Sequence, residues 1–458
     1  MKKRIIPRQY QKRAAYKAIK LSKKGKRVLI VSPGASGKTV IIALLARLYK
    51  NEGKRVLIIS HRREIIVQSF VHLTRMDVNH DDIGFVMAGY GENPKASVQL
   101  ASVDTIRNRD YPEADVIIVD EAHHIVAPTY MDLVDYYFDS EFHGLTSTPY
   151  RLDGQSLGDI FDEMVVASQP SFLIKKGWMA RPTIYTTSDE YLPDLRDIRI
   201  QKGDYARAEL DKKMTQVQLV GNIVDHWQRY ARNKTTLVFA TSVKHSKAIA
   251  QRFLDKGIKA LHLDSKMSLS EREEVLRLID KGKTKVLCNC MILSEGYDLP
   301  QCEAVVLARP TKSFTLAQQQ ANRAFRPYGG RVPIILDHAK HYAAFGLPYA
   351  DREFSLHAGQ EVVINNIAPV KVCPKCFEVV SIHAKECACG YKFSADTMKI
   401  TVLKETDEKL EELTWERLRR LKKRWQTEAE KRGFHKDWVR KLEEAWIEEN
   451  IRQYKKSA

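Results

Sequence analysis

Short runs of β-branched and aliphatic residues recur through the first 150 positions, each followed by a longer helical stretch. The runs at 27–32 (RVLIVS), 55–60 (RVLIIS), 98–102 (VQLAS), 115–120 (DVIIVD) and 142–147 (FHGLTS) are continuous rather than alternating. That pattern predicts strands buried on both faces, and their spacing suits βαβ crossovers in an open parallel sheet with helices on both sides. A second series begins near 235, with 235–240 (TTLVFA), 259–263 (KALHL), 285–289 (KVLCN), 303–308 (EAVVLA) and 332–337 (VPIILD). Two similar α/β lobes in tandem are the simplest account, over 1–187 and 214–345. The charged stretch 188–213 between them reads as a linker or small insertion. After about 345 the pattern changes. Residues 346–398 hold a loop-like connector, a short strand (EVVINN, 361–366) and a cysteine cluster. Residues 399–458 turn helical, with Trp415, Trp425, Trp438 and Trp446 among many charges and a break at RGFH (432–435).

At 458 residues the chain is too long for one ordinary domain, and 44% hydrophobic content is ample for packed cores. No run of eighteen apolar residues spans a membrane. The start, MKKRIIPRQYQKR, is basic but lacks the apolar stretch of a secretory signal, so the expected location is the cytoplasm. A net charge of +18 favours polyanionic partners. Lys and Arg neutralise backbone phosphates and release counterions, which gives salt-sensitive affinity without sequence preference.

Of the seven cysteines, Cys288, Cys290 and Cys302 sit in or beside apolar runs and read as buried small hydrophobes. Cys373, Cys376, Cys387 and Cys389 cluster as CPKC and CAC, the spacing of a metal site rather than a disulfide framework. A tetrahedral Cys₄ zinc ribbon is the natural reading. The second pair is one residue shorter than usual, so the knuckle is either compressed or completed by His383, or the ribbon has lost its metal.

The chemistry starts with a phosphate-binding pattern. A strand runs into Pro33-Gly34-Ala35-Ser36-Gly37-Lys38-Thr39 and then into the helical VIIALLARLY. Backbone N–H groups at a helix N-terminus cradle phosphates, Lys38 reaches the β and γ phosphates, and the Thr39 hydroxyl ligates Mg²⁺. The first position of the pattern is usually Gly and here is Ser32. The partner appears at the end of a later strand as Asp120-Glu121-Ala122-His123. Asp120 at a strand tip can hold Mg²⁺ through water, and Glu121 can orient and activate the attacking water.

With these residues in view the sequence resembles the superfamily 2 helicases of the DEAH-box type, over nearly the whole motor core. The resemblance implies two tandem RecA-like parallel-sheet lobes and ATP-driven work on nucleic acid. It places Arg8, Tyr10 and Gln11 at the adenine. It implies nucleic-acid contacts for Arg62 and Arg63 in HRRE (61–64) together with Gln68, for Ser102 and Thr105 in LASVDTIRN, and for Thr241 and Ser242 of a motif in the second lobe. Leu145-Thr146-Ser147-Thr148-Pro149 resembles the motif that couples hydrolysis to lobe movement, with Tyr150-Arg151-Leu152-Asp153-Gly154 as its continuation. Gly296 and Asp298 of Ser294-Glu295-Gly296-Tyr297-Asp298 match a motif that contacts both ATP and nucleic acid.

Gln319, Arg323 and Arg326 fall on the family's QxxGRxxR positions, and the two arginines would reach across the cleft to the transferring phosphoryl group. Two positions depart from the family: Gly34-Ala35 replaces Thr-Gly in the loop, and Asn322 replaces the Gly before Arg323. Ala35 then needs a φ it can tolerate, and Asn322 is expected to imitate glycine. The ribbon and helical tail are similar to RadD-like bacterial repair helicases and to a phage-type member acting on branched DNA. That implies a monomer working in repair, recombination or replication on forked or branched DNA, alongside a single-strand-binding or recombination protein. An RNA helicase and an ATP-switched scaffold are the alternatives.

Overall fold

A computed structural model of the chain describes residues 4–150, 156–187, 194–201, 203–293, 299–357 and 369–393. The chain divides into units 1–401 and 402–458. The expected helical tail, the strand at 361–366, Arg151–Gly154 and Ser294–Asp298 lie outside the described residues.

The first sheet has seven strands: β1 (Val28–Val31), β2 (Val56–Ser60), β3 (Ile83–Val86), β4 (Val98–Ser102), β5 (Val116–Asp120), β6 (Glu141–Thr146) and β7 (Glu163–Val166). They lie in the order β3-β4-β2-β5-β6-β1-β7, and every pairing is parallel. The continuous apolar runs became the central strands, and β1, β2, β4 and β5 are buried along their whole length. β3 (IGFV) and β7 (EMVV) had no such signature. They are the two edge strands, partly exposed, so neither needed a full apolar run. Helices Gln9–Ser22 and Lys38–Asn51 cover one face through Ala14, Ala18, Ile42 and Leu45. Ile125, Leu133 and Tyr137 cover the other.

The second sheet is also wholly parallel. It contains β8 (Thr183–Thr186), β11 (Thr236–Ala240), β12 (Ala260–Leu263), β13 (Val286–Asn289), β14 (Ala304–Ala308) and β15 (Ile334–Asp337), in the order β12-β13-β11-β14-β15-β8. β8 falls inside the 1–187 span assigned to the first lobe, yet it hydrogen-bonds to β15 as the edge strand of the second sheet. Its short, half-polar TIYT carries no apolar run to declare its partner.

The described residues 194–201 and 203–213 of the charged stretch before the second lobe are folded. They form a two-stranded hairpin, β9 (Ile200–Gln201) with β10 (Asp204–Tyr205), and a helix Arg207–Met214, around Ile198, Ala206, Leu210 and Met214. The cysteine module contains the antiparallel pair β16 (Val370–Val372) and β17 (Val379–Ser381). It sits against β8, where Thr186 N–H donates to the Phe377 carbonyl at 3.0 Å.

The segment between β15 and the cysteines returns to the first lobe. Ser156 Oγ donates to the Leu356 carbonyl at 2.7 Å, and Ser171 Oγ donates to Asp351 at 2.6 Å. Among the described residues no helix is long and apolar enough to cross a membrane.

Candidate active site between the two lobes

Parallel strands present their C-terminal ends on one edge of a sheet, where ligands of open α/β folds bind. The phosphate-binding loop follows β1, and Asp120 ends β5 with β6 between them. Two strand spacings of roughly 4.8 Å therefore separate loop and acid, a gap that a lysine and a carboxylate side chain reaching toward each other can close. Lys38 spans the gap: its Nζ lies 3.1 Å from Asp120 Oδ1 and is hydrogen-bonded to Glu121 Oε1. All three side chains are largely buried. Burial works against the Lys38 ammonium, but Asp120 and then Glu121 outweigh it, and Lys38 stays above its ordinary range. Burial raises Asp120 above the usual carboxylate range; Lys38 partly offsets this, and Glu121 adds to it.

The loop is held from several sides. Ser32 replaces the customary glycine and uses its hydroxyl, which is bonded to Ser36 Oγ at 2.7 Å. Gly37 caps the following helix at φ +83°, in the left-handed region. Ala35, expected to need a φ it can tolerate, sits at φ +60° in the left-handed region that alanine adopts only at a cost. Gln11 Nε2 donates to the carbonyls of Ser36 (3.1 Å) and Gly37 (3.3 Å), and its Oε1 accepts from Arg8 N–H at 2.8 Å. Tyr10 also donates to the Ser36 carbonyl. The amide expected at the adenine edge thus braces the phosphate loop. The Arg8 guanidinium lies 4.6 Å over the ring of Trp178, a residue that no sequence motif singles out.

Asn322 departs from the conformation expected of it. It adopts an ordinary right-handed helical conformation, φ −59° and ψ −19°, so it does not imitate glycine. Its side chain instead packs onto the loop: a Cβ on Gly34 would lie 2.1 Å from Asn322 Cγ. The two departures from the family pattern meet in space. Glycine stands at 34 because an asparagine from the other lobe occupies the volume its side chain would need.

A solvent-open cleft is lined from one side by Gly34, Gly37, Lys38, Thr39, Asp120 and Glu121, and from the other by Gln319, Asn322, Arg323 and Arg326. A polar relay joins the lobes below it. His123 Nδ1 lies 3.0 Å from Thr146 Oγ1 and 3.4 Å from Glu121 Oε2. His123 Nε2 lies 3.4 Å from Gln319 Nε2, and Thr146 Oγ1 donates to the Thr148 carbonyl at 3.0 Å. An amide nitrogen only donates, so Nε2 is the acceptor and the proton is on Nδ1.

Gln68, expected beside the nucleic acid with Arg62 and Arg63, lines this cleft as well. Arg62 caps the helix Arg63–Thr74 after β2. Ser102 closes neighbouring β4 and caps the short helix that carries Thr105. Thr241 and Ser242 follow β11 in the second sheet. Gly296 and Asp298 lie outside the described residues.

The four thiols of Cys373, Cys376, Cys387 and Cys389 gather within 4.8 Å of one another. Cys373 and Cys389 are 3.7 Å apart at sulfur, and Cys376 and Cys387 are 3.5 Å apart. A tetrahedral zinc with bonds of about 2.3 Å puts its sulfurs about 3.8 Å apart, so the set fits that ion. His383 is exposed and stands outside the set. The compressed second pair closes the cluster without it.

Two family models match the chain, described as the type III restriction enzyme res subunit over residues 4–151 and the helicase conserved C-terminal domain over 215–328. A 51.5 kDa protein of Lactococcus phage (isolate 7-9) is 32% identical over 380 residues, covering 80% of this chain and 78% of the relative. The chain belongs to the superfamily 2 helicases. It is an ATP-hydrolysing helicase of that type and acts on nucleic acid. The putative ATP-dependent helicase IRC3 of Saccharomyces cerevisiae is 29% identical over 345 residues, 70% of this chain. The helicase spans about half the length of that yeast relative (49%). Among solved structures, the ATP-dependent type ISP restriction-modification enzyme LlaBIII bound to DNA aligns with TM-score 0.57 at 16% identity. It covers 74% of this chain and 28% of that one, a likeness of fold.

Proposed function

We propose that the helicase moves along DNA, drawing one strand across both lobes and opening or branch-migrating forked and junction DNA with little sequence preference. The observation that carries this reading is the shared cleft, which brings Lys38, Asp120 and Glu121 of one lobe opposite Gln319, Arg323 and Arg326 of the other. Lys38 releases the two acids and turns to the β and γ phosphates of ATP. Glu121 then orients the attacking water, and His123, fixed by Thr146 and Gln319, keeps its carboxylate aligned. Arg323 and Arg326 stabilise charge on the phosphoryl group when the cleft closes, so turnover requires lobe movement. Thr39 and Asp120 would hold Mg²⁺, which supplies positive charge to the phosphate oxygens. The four cysteines would hold a structural Zn²⁺.

Arg62, Arg63, Ser102, Thr105, Thr241 and Ser242 sit at the C-terminal edges of the sheets and are suited to phosphate contacts, which position a strand without reading bases. Net charge of +18 supports the polyanionic partner. The LlaBIII enzyme, solved bound to DNA, supports the choice of DNA over RNA. The RadD-like resemblance supports a monomer active in cytoplasmic DNA repair. Opening one base-pair step costs about 1.4 kcal/mol, within reach of one ATP per base or two.

ATP turnover and strand separation on single-stranded, forked and four-way DNA, repeated with RNA and across salt, test the reading. DNA-stimulated turnover, fork opening and a steep salt dependence are expected; stimulation by RNA alone would sink it.

A further inference from the structure

We propose that the segment Asp204–Met214 competes intramolecularly with the nucleic-acid strand. Its carboxylates at Asp204 and Asp211 occupy a row of phosphate-binding donors made by Thr241, Ser242, Thr311 and the Lys312 backbone N–H. Of that row, Thr311 and Lys312 are new contacts. The inference rests on the strand path proposed above.

β11 and β14 are adjacent, with Ala240 opposite Ala308, so the loops leaving their C-terminal ends are neighbours. Thr241 and Ser242 begin one loop, and Thr311 and Lys312 lie on the other. The donors on both face the same inserted segment. Ser242 Oγ donates to Asp211 Oδ1, and Thr241 Oγ1 lies 3.4 Å from the same oxygen and 3.0 Å from His245 Nδ1. Thr311 Oγ1 donates to Asp204 Oδ2 at 2.7 Å, and Lys312 N–H donates to Asp204 Oδ1 at 2.8 Å.

Hydroxyls and a backbone N–H, with no base-reading group among them, are what a sugar-phosphate backbone asks of a protein. An ionised carboxylate is acceptor-only and so, like a phosphate, can satisfy the same donors. Ser242 Oγ accepts from His245 N–H at 3.0 Å while capping the helix Val243–Asp255, which leaves its proton directed to an anion. Arg309 is buried just past β14, near enough to Asp204 for their opposite charges to interact.

Thr241 and Thr311 are buried with the segment in place. A strand therefore reaches them only if the segment lifts. Lifting is inexpensive in packing terms, because the segment shares a small apolar cluster of its own, Ile198, Ala206, Leu210 and Met214, rather than the sheet's core.

The test uses the full chain and a fluorescein-labelled single-stranded oligothymidylate, followed by anisotropy. If the docked segment is favoured about tenfold, freeing it lowers the apparent Kd about tenfold. D204N/D211N is therefore expected to tighten strand binding five- to tenfold by that arithmetic. In the parent, adding the strand is expected to raise hydrogen exchange over 204–214, which a purely structural contact would not do. T241A/S242A separates the two ideas. If it weakens binding while D204N/D211N does not tighten it and exchange over 204–214 is unmoved, the competition is wrong and the strand path survives. If neither pair changes binding, both fall.

Discussion

The two lobes share an architecture and divide the chemistry. Both are parallel sheets whose central strands are short, continuous apolar runs, with helices on each face. At the edge of the first, anionic groups meet one cation, with Asp120 and Glu121 held on Lys38. At the edge of the second, arginines line the cleft and neutral donors are held by aspartates of an insertion. The apolar pattern builds the frame in both cases, and the loop residues give one edge a phosphate-loop lysine with two acids and the other its arginines. In the mechanism proposed above neither set suffices alone, which would tie chemistry to closure.

The largest expected effect separates the lobes directly. Arg323→Ala and Arg326→Ala should each lower the ATP turnover rate by about 10³ to 10⁵ while leaving nucleotide binding close to the parent's. Lys38→Ala should lose binding and turnover together. Fluorescent-nucleotide titration beside steady-state turnover checks this; equal losses of binding from both lobes would erase the division of labour. Within the first lobe, Glu121→Gln should slow turnover by about 10² to 10⁴ and accumulate bound ATP, read by single-turnover kinetics.

The cores should also differ in acid. Burial pushes His143 of the first sheet down to about 4, and in the second lobe pushes His245 to about 4 and His338 to about 3. Each folded value lies below the ordinary 6.5, so the unfolded chain takes up protons first. The stability is full above 6.5 and declines as pH falls toward 4. By pH 5 the loss is roughly 2 kcal/mol per histidine. With two of the three, the second lobe should lose protection first in hydrogen exchange at pH 5, and simultaneous loss would count against the assignment.

The smallest effect probes the contact between lobes. Gly34→Ala should cost about 1–3 kcal/mol of overpacking against Asn322, seen as a lower Tm, and Asn322→Gly should restore it. An unrestored double variant would show that the two positions do not share that space.

Much of this is legible along the chain. The central strands are continuous apolar runs because burial on both faces demands it. Lys38, Asp120, Arg323 and Arg326 stand in motifs whose order already implies a site built from two lobes. The edge strands β3, β7 and β8 are not legible, since an edge strand is half exposed and its sequence does not name its neighbour. Asp204 and Asp211 look like ordinary solvated charges in a linker. Nothing local to the insertion reveals that the loops after β11 and β14 lie beneath it.

The sequence by itself determined the frame and the chemical inventory: buried parallel strands, a phosphate loop, paired acids, two arginines and four thiols. These depend on residue type and short spacing, which a chain displays locally. Only the tertiary structure decided which groups meet across long separations. It set Asn322 over Gly34, Gln319 beside His123, Gln11 under the loop and β8 in the other sheet. Such contacts come from how the sheets and their loops pack, and packing depends on shape across hundreds of residues rather than on pattern along a few.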